Sequence, residues 1–144
     1  MPEGAPSDNP ADKLVVIVDD DDSVRELIEF LVKKEGFRAE TASDGEAGIA
    51  KIQQTRPNLV VLDLMLPRYG GFEVLRQLQQ SEETARIPIV VVTGRYTDRS
   101  TAEMIRQESN VMDFIEKPIK PTLFSVALHK IMGTRPRLES GGAI

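Results

Sequence analysis

The 144-residue chain contains no cysteine. Disulfides, CxxC redox chemistry and thiolate metal sites are therefore excluded. No apolar segment approaches the roughly 20 residues that a helical bilayer span needs. Residues 1–12 hold three prolines and no apolar run, unlike a secretory signal with its basic start and apolar stretch. A cytoplasmic location is the default expectation. Neither GxGxxG nor GxxxxGK[ST] occurs, so a nucleotide-binding reading lacks its best support. An excess of positive charge is missing too. The formal net charge is −5, which argues against bulk attraction to nucleic acid. Arg135 and Arg137 are too few to form a basic patch.

What is present is an alternation. Leu14–Val18, 59–62 and 87–92 are apolar runs of strand length. Runs apolar on both faces suit a parallel sheet covered on both sides. Residues 37–41 alternate as an edge strand would, and 111–115 form a weaker fifth strand. Pro88 is expected at a strand start, where no ladder donor is missed.

Helical patterns separate the strands. Ser23 and Glu26 form a capping box ahead of Leu27, Ile28, Leu31 and Val32. Gly36 is the expected stop. Ser43 and Glu46 form a second box, and Pro57 bars extension of that helix. Phe72, Val74, Leu75 and Leu78 mark a third helix. Ala102, Met104 and Ile105 mark a fourth, starting near Thr97 or Asp98. Residues from Leu123 to Ile131 mark a fifth, with Pro121 in its first turn.

The pattern βαβαβαβαβα implies an α/β fold with a doubly wound, five-stranded parallel sheet and five helices. Residues 13–132 form the domain. Residues 1–12 and 133–144 are expected to be flexible tails. Ligands of such sheets bind beyond the carboxyl ends of the strands. Those ends carry Asp19–Asp22, Asp63, Thr93 and Lys117. Clustered oxygen ligands suit Mg²⁺, Mn²⁺ or Ca²⁺. Carboxylates, a hydroxyl and an ammonium together suit phosphoryl transfer, with a carboxylate able to carry the group as an acyl phosphate.

Four motifs then coincide in order at the strand ends. They are Val18-Asp19-Asp20 with Arg25, Val61-Leu62-Asp63-Leu64-Met65-Leu66-Pro67 with Gly71, Val91-Val92-Thr93-Gly94, and Ile115-Glu116-Lys117-Pro118. The chain resembles the CheY-like receiver domains of two-component response regulators from about Lys13 to Met132. The resemblance implies a flavodoxin-like fold with strand order 2-1-3-4-5, the order given for such domains in general.

It also implies roles. Asp63 is the phosphoacceptor. Asp20, Asp63 and the backbone carbonyl of Met65 hold Mg²⁺, with Mn²⁺ possible, and Asp19 supports them through water. Lys117 pairs with phosphoryl oxygens, and a cis peptide is expected before Pro118. Thr93 and Phe114 convey the switch to a face made by the fourth helix, fifth strand and fifth helix of the pattern. The implied donor is a histidine kinase or a histidine phosphotransfer protein. Only twelve residues follow Met132, too few for a helix-turn-helix domain. A stand-alone regulator that signals by protein contact is therefore expected, as a monomer or a phosphorylation-dependent dimer, without direct nucleic-acid contact or membrane insertion. It would catalyse only its own phosphorylation and dephosphorylation and is not a conventional enzyme.

Asp21 and Asp22 read instead as acidic residues favoured by the start of the next helix. His129, the single histidine, lies far from the strand ends and in no phosphotransfer motif. Three departures from the family pattern stand out. Gly70 replaces an acidic residue. Glu108-Ser109-Asn110 alters the turn before the fifth strand, where Asn110 can take a left-handed conformation. Gly94 leaves open space beside Thr93. Receivers with rapid self-hydrolysis tend to carry polar or acidic groups where Met65 and Arg95 stand, so the resemblance implies a comparatively long-lived phosphoryl state. Two alternatives stand beside this reading. One is a phosphorylation-independent pseudo-receiver. The other is a haloacid-dehalogenase-type phosphatase, which would need an acidic residue where Met65 stands.

Overall fold

The computed structural model describes residues 9–66, 70–94 and 99–134, without the side chains of Thr101 and Ala102. After a 3-10 turn at Pro10–Asp12 the elements are β1 (Leu14–Val18), α1 (Asp22–Lys34), β2 (Arg38–Ala42), α2 (Gly45–Thr55), β3 (Leu59–Asp63) and α3 (Gly71–Gln79). They continue with α4 (Glu82–Ala85), β4 (Ile89–Thr93), α5 (Arg99–Arg106), β5 (Val111–Glu116) and α6 (Pro121–Met132). The five strands are all parallel, in the order β2-β1-β3-β4-β5.

The fold follows from the apolar strands. Every residue of β1, β3 and β4 is buried, and alternate side chains leave each strand on opposite faces. Val16, Val18, Leu62 and Val91 pack with Ile52, Val74, Leu78 and Ile105 from α2, α3 and α5. Val15, Ile17, Val61 and Val92 pack with Ile28, Leu31, Phe124 and Leu128 from α1 and α6. Each such side chain stabilises the fold by about 1.5–3 kcal/mol when fully buried. The two layers clamp the sheet and fix the height of its strand ends.

Several local expectations change. Asp21, not Ser23, caps α1, its Oδ1 accepting the N–H groups of Ser23 (2.9 Å) and Val24 (3.2 Å). Asp44, not Ser43, caps α2 through the N–H of Ala47 at 2.8 Å. In both cases a carboxylate, the stronger acceptor at the positive end of a helix, takes the place assigned to a nearby hydroxyl. A sixth helix, α4, was not expected: four residues, Glu-Glu-Thr-Ala, carry no apolar period. Ser81 caps it.

Asn110 is not left-handed. Among the described residues only Arg56 (φ 47°), Gly36 and Gly133 have positive φ. Asn110 is buried instead, because its amide satisfies two chain segments. It donates to the Ile87 carbonyl (3.1 Å) and accepts from Gln79 Nε2 (2.7 Å). Gly36 and Gly133 terminate α1 and α6 as C-terminal glycines do. The expected start of the fourth predicted helix, at Thr97 or Asp98, lies outside the described residues, as do Arg95, Pro67, Arg135 and Arg137.

Candidate functional site

β1 and β3 are neighbours in the sheet, with Val18 opposite Leu62. Asp19, the residue after β1, therefore meets Asp63, the last residue of β3, although 44 positions separate them. Asp20 completes the group: one carboxylate oxygen from each of the three lies within 4.8 Å of the others. Asp19 and Asp63 are buried, at 1% and 3% exposure, while Asp20 is exposed. β5 delivers the cation. The Lys117 N–H bonds the Thr93 carbonyl at 2.7 Å, and Lys117 Nζ lies 3.2 Å from Asp19 Oδ2 and 3.5 Å from Asp63 Oδ2. The Lys117–Pro118 peptide is cis.

The charges do not balance. One ammonium faces three carboxylates. Burial pushes the Asp63 carboxyl up from 3.8 to about 6. The Met65 N–H opposes this, the Asp19 charge adds to it, Lys117 opposes it, and a hydrogen bond with Asp20 adds to it. For Lys117, burial pulls downward, but Asp63 and Asp19 outweigh it and raise its pKa. Asp19 Oδ2 is buried and has no hydrogen bond. The lysine is near enough to attract it electrostatically but does not meet it in hydrogen-bonding geometry. A buried carboxylate oxygen held only by charge, without a hydrogen bond, is costly.

The donor set fits a hard divalent cation: oxygen ligands only, with no histidine or cysteine beside them. Asp63 Oδ1 accepts from the Met65 N–H at 3.1 Å, so the chain after β3 curls back over the carboxylate. Gly71 permits this turn. Its N–H bonds the Leu64 carbonyl at 3.1 Å, and a Cβ there would lie 2.7 Å from the Asp63 carbonyl oxygen and from Leu64 Cα.

The other residues singled out in the sequence are also located. Thr93 is buried, and its hydroxyl donates to the Gly94 carbonyl at 3.1 Å. A Cβ on Gly94 would meet nothing within 4 Å, which agrees with open space beside the threonine. Phe114, opposite Val91 on β5, packs half-buried against the layer of the core that holds Ile105 of α5. Gly70 leaves the start of α3 without a side-chain cap. Asp21 caps α1 and Asp22 pairs with Arg25, so neither joins the carboxylate group. His129 lies between α1 and α6, bonded to Glu35 and Thr134 near the C-terminal ends of those helices. Two partnerships were missed in the sequence, Arg25 with the Asp19 carbonyl and Arg106 with the Phe114 ring. The i, i+3 spacing of Asp22 and Arg25 marks only their own ion pair and neither of these two contacts.

The sequence model described as the response regulator receiver domain matches residues 15–129. The chain belongs to the response regulator receiver domain family. Among curated proteins, this receiver is similar to the transcriptional regulatory protein AfsQ1 of Streptomyces coelicolor. The two are 30% identical over 88% of the chain and 55% of that protein. It is also 34% identical to the alkaline phosphatase synthesis transcriptional regulatory protein PhoP of Bacillus subtilis, over 76% of the chain and 44% of that protein. The receiver thus spans about half the length of the curated relatives it matches. Among solved structures, the Vibrio cholerae chemotaxis protein CheY4 shares its fold with a TM-score of 0.75. That match is 24% identical and covers 83% of this chain and 98% of that one. Among the described residues, no helix is long and apolar enough to cross a membrane.

Proposed function

We propose that this receiver accepts a phosphoryl group on Asp63 in a reaction that needs Mg²⁺ or Mn²⁺. A histidine kinase or histidine phosphotransfer protein is the donor. The observation that carries the reading is the buried, unbonded Asp19 Oδ2 within a three-carboxylate group that faces a single lysine. Asp20, Asp63 and the Met65 carbonyl would hold the cation, with Asp19 in support. When bound, the ion supplies positive charge to the phosphoryl oxygens and orients them.

The chain's own groups do the rest. At neutral pH the Asp63 carboxyl, titrating at about 6, is mostly ionised and nucleophilic. A carboxylate oxygen of Asp63 attacks phosphorus. The phosphorus–nitrogen bond of the donor phosphohistidine breaks as the phosphorus–oxygen bond forms, and the imidazole leaves with the electron pair. Lys117 Nζ stays near Asp63 and neutralises charge on the transferred group. The Thr93 hydroxyl exchanges the Gly94 carbonyl for a phosphoryl oxygen. Thr93 and Phe114 then bias the face made by α5, β5 and α6, which are the fourth helix, fifth strand and fifth helix of the sequence pattern.

A groove of about 600 Å³ between β5 and α6, bordered by Phe114, Lys117, Leu123 and Val126, lies on that face. It gives a partner protein an apolar surface whose edges carry both signs of charge, Asp113 and Glu116 beside Lys117, Lys120 and Lys130. The product is an altered protein surface in the cytoplasm, not a released small molecule. The test is intact-protein mass spectrometry after exposure to acetyl phosphate, with and without Mg²⁺, on wild type and Asp63→Asn. One adduct that requires both Mg²⁺ and Asp63 supports the reading. A folded protein that gains none is a phosphorylation-independent binding module.

A further inference from the structure

Residues 19–22 are four consecutive aspartates, and mutual repulsion should drive them apart. They are instead tied into one shape. Asp19 Oδ1 accepts the Asp21 N–H at 2.9 Å. The Asp21 carboxylate caps α1, and the Asp21 carbonyl accepts the Arg25 N–H at 2.9 Å. The Arg25 side chain closes the assembly. Its NH1 donates to the Asp19 carbonyl at 2.9 Å and its NH2 to Asp22 Oδ1 at 2.5 Å. The Arg25 side chain is 18% exposed, so solvent weakens these bonds only in part, while the Asp22 side chain is 81% exposed.

We infer that Arg25 is a positioning residue for the cation site, acting through the Asp19 carbonyl; this rests on the cation site proposed above. The bonded oxygen belongs to the planar peptide that joins Asp19 to Asp20. Holding that oxygen fixes the rotation before and after the plane, and with it the directions in which both carboxylates leave the backbone. Asp19 Oδ1 is held by the Asp21 N–H, so Oδ2 is the oxygen left turned toward Asp63 and Lys117. The rigid two-armed guanidinium suits this task. One arm grips the carbonyl, and the other binds Asp22 and so keeps that carboxylate away from the ion.

The inference makes a prediction of unusual sign. If Arg25 acted only through its charge, its removal would make the site more negative and tighten cation binding. If it positions the carboxylates, its removal loosens binding. The experiment is Mn²⁺ binding to the full chain, followed by loss of the free aquo-ion signal in electron paramagnetic resonance. Wild type, Arg25→Gln, Arg25→Lys and Asp22→Asn are compared, each with its metal-free melting temperature. Arg25→Gln is expected to weaken binding about three- to tenfold, the range of one net hydrogen bond. Arg25→Lys should recover part of the loss, and Asp22→Asn should stay close to wild type.

A folded Arg25→Gln that binds Mn²⁺ as tightly as wild type, or more tightly, overturns the inference. Should that variant not fold, Arg25→Lys decides: a loss of about twofold or more is expected, because the ammonium cannot span both acceptors, and unchanged affinity overturns the inference. Absence of Mn²⁺ binding by wild type would instead overturn the cation site itself.

Discussion

The guanidinium carbon of Arg106 lies 5.0 Å from the centroid of the Phe114 ring. α5 thus reaches over β5 and holds the proposed switch aromatic against the core by a cation–π contact. Arg106 is exposed, so the contact contributes about 0.5–1 kcal/mol. Arg106→Ala should lower stability by that amount in wild type and by much less in a Phe114→Leu background. A double-mutant cycle in urea measures the difference. Equal losses in both backgrounds would mean that Arg106 acts elsewhere.

The metal-free protein should become less stable as pH rises from about 4 to about 6. The unfolded chain releases the Asp63 proton near 3.8, whereas the folded protein holds it to about 6. Between these values the folded state binds more protons, so stability declines across the window and stays lower above it. The full difference corresponds to about 3 kcal/mol. Asp63→Asn should remove most of this dependence and raise metal-free stability at pH 7.5 by about 1–3 kcal/mol. Mg²⁺ should stabilise wild type at that pH and have far less effect on the variant. Denaturant titrations at pH 5 and pH 7.5 give the comparison.

His129 joins the two helices that cover one face of the sheet. Its Nε2 is 2.6 Å from Glu35 Oε1 and its Nδ1 is 2.7 Å from Thr134 Oγ1, and the ring tilts against Phe37 at 5.4 Å. His129→Leu keeps the bulk and deletes both bonds, leaving two partly buried polar groups unpaired. A loss of about 1–3 kcal/mol is expected from urea unfolding, with phosphorylation by acetyl phosphate retained. A neutral outcome would mean that water replaces the imidazole at both partners.

Gly71→Ala tests the turn over the acceptor. Backbone atoms stand 2.7 Å from the added carbon and cannot swing aside as a side chain can. We expect a cost of about 1–3 kcal/mol and slower phosphorylation, as the turn bearing the Met65 N–H is displaced. Wild-type values for both the melting temperature and the phosphorylation rate would contradict this account.

Met65 is 68% exposed beside the acceptor and offers no polar group on its side chain to orient water. The phosphoryl state should therefore decay slowly, and Met65→Glu should hasten decay about two- to tenfold, as one oriented hydrogen bond would. The loss of the phosphorylated mass with time, in Mg²⁺, reads both. Equal decay in the two proteins would place the control of hydrolysis outside this position.

The sheet and the gathering of charged groups at its edge were legible because their signals are strong. Both-sided apolar strands admit few arrangements, and Asp19, Asp20, Asp63 and Thr93 lie at the ends of such strands, while Lys117 follows the weaker β5. What was not legible depends on competition between neighbours. Ser23 and Asp21 both suit a helix start, and only the folded path decides that the carboxylate wins. Asn110 was read as a turn residue because local preference favours that role, yet its amide meets Ile87 and Gln79, which are distant in sequence. α4 is too short to show a period. Arg25 carries no sign in the sequence that it would reach a carbonyl.

The strand order separates the site into parts of unequal permanence. Asp19 follows and Asp63 ends an interior strand paired on both sides, whereas Lys117 follows an edge strand, which has a neighbour on one side only. β5 also skips Met112 in its pairing with β4, at the end of the strand away from Lys117. Fraying from that border would withdraw the ammonium and leave the carboxylates facing one another without a counter-charge. The rim of the sheet is thus where local opening would uncouple the lysine from the acceptor while the interior strands stay paired.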